Sequence, residues 1–137
     1  MKINGFEYRE GRFYTKKHLW VLVKGKQARI GLDAFFISHL GDISDIELTY
    51  IDNECEKDDS IATIYADADT LDILPPFPGK IINVNEELED DPSPLMEDPY
   101  SKGWLVDMLI SDEQDLEELL QDDEAESWFR TEIEKDG

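Results

Sequence analysis

Three carboxylates close together in the chain, Asp67, Asp69 and Asp72, have the clearest potential for chemistry. Hard cations such as calcium and magnesium prefer oxygen ligands of this kind. However, successive side chains of a strand point to opposite faces, so Asp67 and Asp69 should face one side and Asp72 the other. The segment also lacks the glycine and the later glutamate of an EF-hand loop. We therefore predict a solvated acidic turn, and keep a metal-binding hairpin built from these residues as an alternative.

Histidine and cysteine are scarce in the chain. His18 and His39 are the only histidines, which is too few for a histidine-rich metal site. Cys55 is the only cysteine, so no disulfide can form within the chain, as suits a reducing compartment. Its acidic neighbours Glu54 and Glu56 should raise the pKa of its thiol and keep it unreactive. Because no Ser-His-Asp order or glycine-rich phosphate loop is present, we predict no catalytic residue, no bound metal and no enzymatic activity.

The charge of the chain is strongly negative and unevenly distributed. The formal net charge is −21, and residues 86–137 hold 20 acidic residues against three basic ones, whereas residues 1–30 hold eight basic residues and two acidic ones. Such a chain should bind neither nucleic acid nor anionic membranes through its general field. It has no apolar run of about 18 residues that could span a membrane and no apolar signal region at its start. We therefore predict a cytoplasmic protein.

Short strands separated by turn residues are predicted over most of the chain. Two apolar runs, 20–24 and 27–32, flank Gly25-Lys26 and indicate a hairpin. Asp33 can cap a short helix over 34–40, and Gly41 can end it. Further strands are predicted at 44–50, 60–65, 71–74, 80–84 and 105–110, with acidic turns at 52–59 and 86–91 and the tip of a hairpin at 66–70.

Two acidic helices are predicted at the C-terminal end. Ser111 with Gln114 matches a capping box, and Leu116, Leu119 and Leu120 form an apolar stripe. A second stripe consists of Ala125, Trp128, Phe129 and Ile133. Both stripes are predicted to pack against the sheet.

Several of these segments together resemble the H protein family of the glycine cleavage system. The strongest block reads Pro-Gly-Lys-Ile-Ile-Asn-Val-Asn-Glu-Glu-Leu-Glu-Asp-Asp-Pro over 78–92, followed by Glu-Asp-Pro-Tyr-Ser-Lys-Gly-Trp over 97–104. Lys-His-Leu-Trp-Val at 17–21, Ile-Gly-Leu-Asp-Ala at 30–34 and Leu-Gly-Asp-Ile at 40–43 resemble further family motifs in the same order. The resemblance implies a mostly β fold, the lipoyl/biotinyl-like barrel-sandwich hybrid of H-protein type, with a short helix after the second strand and C-terminal α-helices. It predicts one domain over residues 1–137, with a core at 13–110 and the helices at 111–134.

The family's lipoyl lysine has no counterpart at the expected place. Members of the family carry lipoate on a hairpin lysine, and counting back from Pro76 and Gly79 places that position at Ala68. No lysine occurs anywhere in residues 58–79. The family's cleft for the loaded arm is lined by Glu, His and Asp, whose counterparts here would be Leu19, His39 and Asp72. The resemblance with these departures predicts that lipoate is absent and that the three cleft positions are vestigial.

The leading functional hypothesis is therefore a non-lipoylated H-protein-like scaffold or regulator. Its predicted partners are glycine cleavage components or lipoate-handling enzymes. The first alternative is an active lipoyl carrier that uses another attachment point, for which Lys57 and Lys80 are the nearest lysines. The second alternative is the metal-binding hairpin of Asp67, Asp69 and Asp72.

Overall fold

The computed structural model describes residues 2–3, 5–67 and 69–136, with the side chain of Asp136 excepted. The strands are β1 (Lys2–Ile3), β2 (Phe6–Glu7), β3 (Phe13–Tyr14), β4 (Leu19–Lys24), β5 (Gln27–Leu32), β6 (Ile43–Leu48), β7 (Glu54–Cys55), β8 (Ala62–Ala66), β9 (Thr70–Ile73), β10 (Gly79–Val84) and β11 (Val106–Leu109). The helices are α1 (Ala34–Ser38), α2 (Glu87–Asp90), α3 (Ser93–Glu97) and α4 (Asp122–Asp136), with a 3₁₀ helix at Glu113–Glu118.

Two antiparallel sheets build the main body of the molecule. The larger has six strands in the order β3-β4-β5-β11-β10-β7, and the smaller has three in the order β6-β8-β9; β1 and β2 form a separate pair. Within the described residues the sheets do not close into a barrel. The prediction of a mostly β fold with C-terminal helical structure is confirmed, and its sandwich element describes the structure better than its barrel element.

One hydrophobic core lies between the larger and the smaller sheet. Alternation along each strand sends every second side chain inward, and the inward residues of both sheets belong to the same buried cluster. Val21, Ile30 and Val106 come from the six-stranded sheet, and Ile46 and Ile64 from the three-stranded one. The two sheets are thus held face to face by apolar burial.

A second, aromatic core joins the two ends of the chain. Tyr8 and Tyr14 stack with ring centroids 5.0 Å apart, and Phe129 of α4 lies 5.2 Å from Tyr8. Tyr100 is fully enclosed in the same cluster, and its hydroxyl donates to the carbonyl of Glu7 at 2.7 Å. Helix α4 is consequently packed on the N-terminal segment and on the outer side of β4.

The β8–β9 hairpin has the predicted pairing, displaced slightly along the chain. Ala62 pairs with Ile73 and Tyr65 with Thr70. Hydrogen bonds at its end run from the amide of Ala66 to the carbonyl of Asp69 at 3.1 Å, and from the amide of Asp67 to the carbonyl of Asp42 at 2.9 Å. Ala68, the position predicted to replace the lipoyl lysine, lies outside the described residues.

Three local predictions are wrong. The segment 52–59 contains the short edge strand β7, which pairs with Gly79 and Lys80. The predicted turn at 86–91 contains α2, whose Leu88 is fully buried. The first C-terminal helix is a 3₁₀ helix, and its capping acceptor is the Asp112 carboxylate, which receives the amide of Gln114 at 3.0 Å, in place of Ser111.

Candidate functional site

A two-lobed cleft beside β9 is the candidate site. Its first lobe, of about 300 Å³, is lined by Lys17, His18, Leu19, Phe36, Leu71, Asp72, Ile73 and Leu74. Its second lobe, of about 530 Å³, is lined by Thr15, Lys16, Lys17, Leu19, Lys57, Asp58, Leu74, Pro75, Pro76, Glu118, Leu119 and Leu120. Lys17, Leu19 and Leu74 line both lobes, so the two lobes lie side by side, with apolar residues and lysines in their lining.

A tight turn between β3 and β4 fixes one side of the cleft. The carbonyl of Thr15 accepts the amide of His18 at 3.0 Å, and the hydroxyl of Thr15 accepts the amide of Lys17 at 3.2 Å. His18 adopts the left-handed conformation with φ of 70°, which is uncommon for a residue with a side chain. These bonds place Lys17 at the junction of the two lobes and leave the buried Leu19 to form the floor.

Strand β9 and the prolines that follow it form the opposite side. Leu71 and Leu74 present half-buried apolar surface to the cleft. Asp72 is exposed, and its carboxylate accepts the hydroxyl of Thr63 at 2.8 Å. Pro75 and Pro76 cannot extend the ladder, so the chain turns away and borders the second lobe.

His18 is the histidine that borders the cleft. Its Nδ1 lies 2.8 Å from the Asp33 carboxylate, which is fully buried and also caps α1 by accepting the amide of Phe36 at 2.8 Å. Burial raises the pKa of Asp33, and the bond from His18 and the helix amides oppose that shift. The second ring nitrogen of His18, Nε2, lies 3.6 Å from the Glu132 carboxylate of α4.

The structure brings together two of the three predicted cleft residues. Leu19 and Asp72 line the same lobe, whereas His39 is not among the residues that line it. His39 ends α1, with its Nδ1 2.8 Å from the carbonyl of Phe35 and its ring centroid 4.4 Å from that of Phe35. His18 occupies the cleft instead. Its position directly before Leu19 was the available sequence signal, and the assignment of the three positions as vestigial stays a prediction.

The three carboxylates of the hairpin are not gathered as metal ligands. Asp69 accepts the amide of Thr70 at 2.8 Å through its own side chain, and Asp72 is engaged by Thr63. In the part of the chain that the structure describes, no group of three or more His, Cys, Asp or Glu side chains is placed to hold a metal ion. The metal-binding alternative gains no support from this arrangement.

Comparison with solved structures identifies the class of fold. The crystal structure of a glycine cleavage system H protein from Mycobacterium marinum superposes with a TM-score of 0.78, covering 91% of this chain and 98% of that one. At 24% sequence identity this similarity establishes the fold alone. The sandwich of two sheets with its C-terminal helix is thus the H-protein fold.

Sequence comparison then establishes the family. The family described as Glycine cleavage H-protein matches residues 12–132. The glycine cleavage system H protein of Staphylococcus epidermidis is 40% identical over 111 residues, which cover 81% of this chain and 88% of that protein. The chain belongs to the glycine cleavage H-protein family.

Family membership corrects one prediction from the sequence. The prediction that lipoate is absent is contradicted, because lipoate is the group that the resemblance implies for this family. The missing lysine in residues 58–79 bears only on an attachment within that segment. Lipoate requires a primary amine for its amide bond, and the exposed lysines on the cleft rim, Lys16, Lys17 and Lys57, offer one.

In the ranges 2–3, 5–67 and 69–136, no helix has the length and apolar character needed to cross a bilayer.

Proposed function

We propose that this protein is a non-catalytic component of the glycine cleavage system, which presents the β8–β9 hairpin and the adjoining cleft to partner proteins of that system. The observation that carries the proposal is the pair of adjoining lobes, the first of them lined by β9 of the hairpin, in a member of the H-protein family. The partners are the other glycine cleavage proteins, and the predicted cytoplasmic location belongs to the same proposal.

The composition of the cleft suits binding better than catalysis. Half-buried Phe36, Leu71 and Leu74 supply apolar contact area, and burying such area on association is favourable. Lys16 and Lys17 provide charges at the rim that influence the rate and the selectivity of encounter. Apart from His18, the residues that line the first lobe include no nucleophile or strong base in a buried position.

Steric obstruction of the hairpin should abolish partner binding. Cys55 is only 2% exposed, and burial raises the pKa of its thiol, so an introduced surface cysteine can be labelled selectively. Asp69→Cys, coupled to a maleimide polyethylene glycol, is expected to weaken binding of the purified glycine cleavage proteins of the same host by at least about tenfold, measured by titration calorimetry.

The matched control places the same polymer beyond the last residue of β4, whereas the first residue of that strand, Leu19, lines the cleft. Lys26→Cys lies in the exposed turn between β4 and β5, and its coupled form should bind as the unlabelled protein does. Equal binding by both labelled variants would remove the hairpin face from the proposal.

A specific observation favours active carriage of lipoate as a second function. Of the two lysines considered from the sequence, Lys57 borders the second lobe of the cleft, and its ammonium lies 3.9 Å from Glu118 with 61% of its side chain exposed. Lys80 lies 3.5 Å from Asp52 and borders a different cavity, of about 420 Å³, next to Cys55. An amide at Lys57 would place the group at the mouth of the cleft, where the apolar walls can shelter it.

Attachment at Lys57 predicts a specific pattern of modification. After co-expression with a lipoate ligase, the intact mass should rise by one lipoyl group, and peptide mapping should locate it at Lys57. Lys57→Arg keeps the charge but removes the primary amine as a nucleophile, so the increment should disappear. Lys80→Arg is the matched control and should be modified as the wild type is; an unmodified wild type would refute attachment at Lys57.

A further inference from the structure

His18 lies between two carboxylates from distant parts of the chain. Its Nδ1 is 2.8 Å from Asp33, which precedes α1, and its Nε2 is 3.6 Å from Glu132 of α4. The His18 ring also contacts three aromatic rings, with centroids 5.7 Å from Phe35, 5.7 Å from Phe36 and 4.9 Å from Trp128. The side chain of His18 is therefore only 14% exposed, although it borders the cleft.

The protonation state of His18 determines to how many of these carboxylates it can donate a hydrogen bond. A neutral imidazole carries one N–H and can donate to one of them, whereas an imidazolium carries a positive charge and an N–H on each nitrogen. The fully buried Asp33 is the closer partner and keeps its bond in either state. The attraction to Glu132 depends on the charge.

We propose that His18, Asp33 and Glu132 form a proton-dependent bridge that holds α4 against the start of β4, beside the cleft. When His18 is charged, Glu132 is drawn to it and α4 is fastened next to Lys17 and Leu19. When His18 is neutral, the contact to Glu132 is lost and the helix is held by its apolar face alone.

Other charged groups around His18 limit the strength of the bridge. Lys135 lies on the same helix, 3.4 Å from Glu132, and shares that carboxylate. Lys17 opposes an imidazolium from the adjoining position, and Asp72 favours it from the other side of the same lobe. Since Glu132 is 23% exposed, solvent also screens the pair. The bridge should accordingly have the strength of a partly exposed ion pair.

Hydrogen exchange of the 137-residue chain tests the bridge. Protection of the α4 amides, corrected for the intrinsic pH dependence of exchange, is compared at about pH 5 and about pH 8.5, on either side of the range in which histidine titrates. Glu132→Gln should lower α4 protection roughly two- to fivefold at the lower pH, as expected for such a pair. At the higher pH, where only the pair of Glu132 with Lys135 remains to be lost, the decrease should be smaller.

Two further variants separate the bridge from general effects of charge. Glu134→Gln makes the same charge change at an exposed position of α4 and should have no pH-dependent effect. His18→Asn tolerates the left-handed backbone and retains a donor for Asp33, but cannot become charged. It should remove the extra loss that Glu132→Gln causes at the lower pH. Equal loss of protection at both pH values, no loss at either, or the same loss in Glu134→Gln would overturn the proposal.

Discussion

Replacement of Phe129 by alanine should lower the free energy of unfolding by roughly 3–5 kcal/mol, as is usual for a phenylalanine removed from a core. Phe129 is fully buried and contacts Tyr8 at 5.2 Å and Phe35 at 6.4 Å between ring centroids. Ala125 and Ile133, one turn away on either side, complete the buried stripe of α4. The cavity would therefore open where α4, the N-terminal segment and α1 meet.

Equilibrium unfolding in urea, followed by circular dichroism, measures this loss. Arg130→Ala is the matched control, because it shortens the neighbouring side chain on the exposed face of α4 and should change stability by less than about 0.5 kcal/mol. A loss below about 1 kcal/mol for Phe129→Ala would show that the aromatic core contributes little to the stability of the fold.

The stripe of α4 was predictable from the sequence because it depends on spacing alone. Ala125, Phe129 and Ile133 recur every four residues, and the structure buries all three. Trp128, predicted on the same stripe, is half-buried and lies against His18. The β4–β5 hairpin could also be predicted from the sequence, because two apolar runs flank a glycine turn.

Elements governed by tertiary contacts could not be predicted in the same way. Acidic residues around Leu88 and Cys55 suggested turns, but Leu88 is the buried residue of α2, and Cys55 lies on the edge strand that pairs with β10. In both cases the burial of a single apolar residue stabilises the element. The polar residues around it give no sign of that burial, so the sequence pattern does not predict the element.

In the candidate site, too, some residues could be identified from the sequence and others depend on tertiary contacts. Leu19 and Asp72 were identified through the family resemblance, which carries spatial information that one sequence lacks. The contact of His18 with Glu132 joins the first third of the chain to its last helix, and no spacing rule predicts it. His39 was assigned to the cleft through the same resemblance, and in the structure it ends α1 and is not among the residues that line the first lobe.

Gly31→Ala should destabilise the protein by roughly 3 kcal/mol, at the upper end of the range for overpacking. Gly31 pairs with Trp20 across β4 and β5. A methyl group there would lie 2.5 Å from Cε2 and 2.7 Å from Nε1 of the indole, well inside contact distance. The indole cannot yield easily, since it is fully buried and its Nε1 donates to the carbonyl of Pro99 at 3.0 Å.

A double-mutant cycle with Trp20→Phe identifies the cause of that loss. The smaller ring removes the atoms that the new methyl group would meet, so Gly31→Ala should be less harmful in the Trp20→Phe background by at least about 1 kcal/mol, a coupling expected only for residues in contact. Trp20→Phe alone should also be destabilising, because it forfeits the bond to Pro99 and leaves a space beside the Arg12 guanidinium, which lies 4.5 Å from the indole centroid. Urea unfolding of the four proteins supplies the cycle. Strict additivity would mean that Gly31→Ala acts through the backbone of β5 and that the close approach of the indole is not what requires glycine at this position.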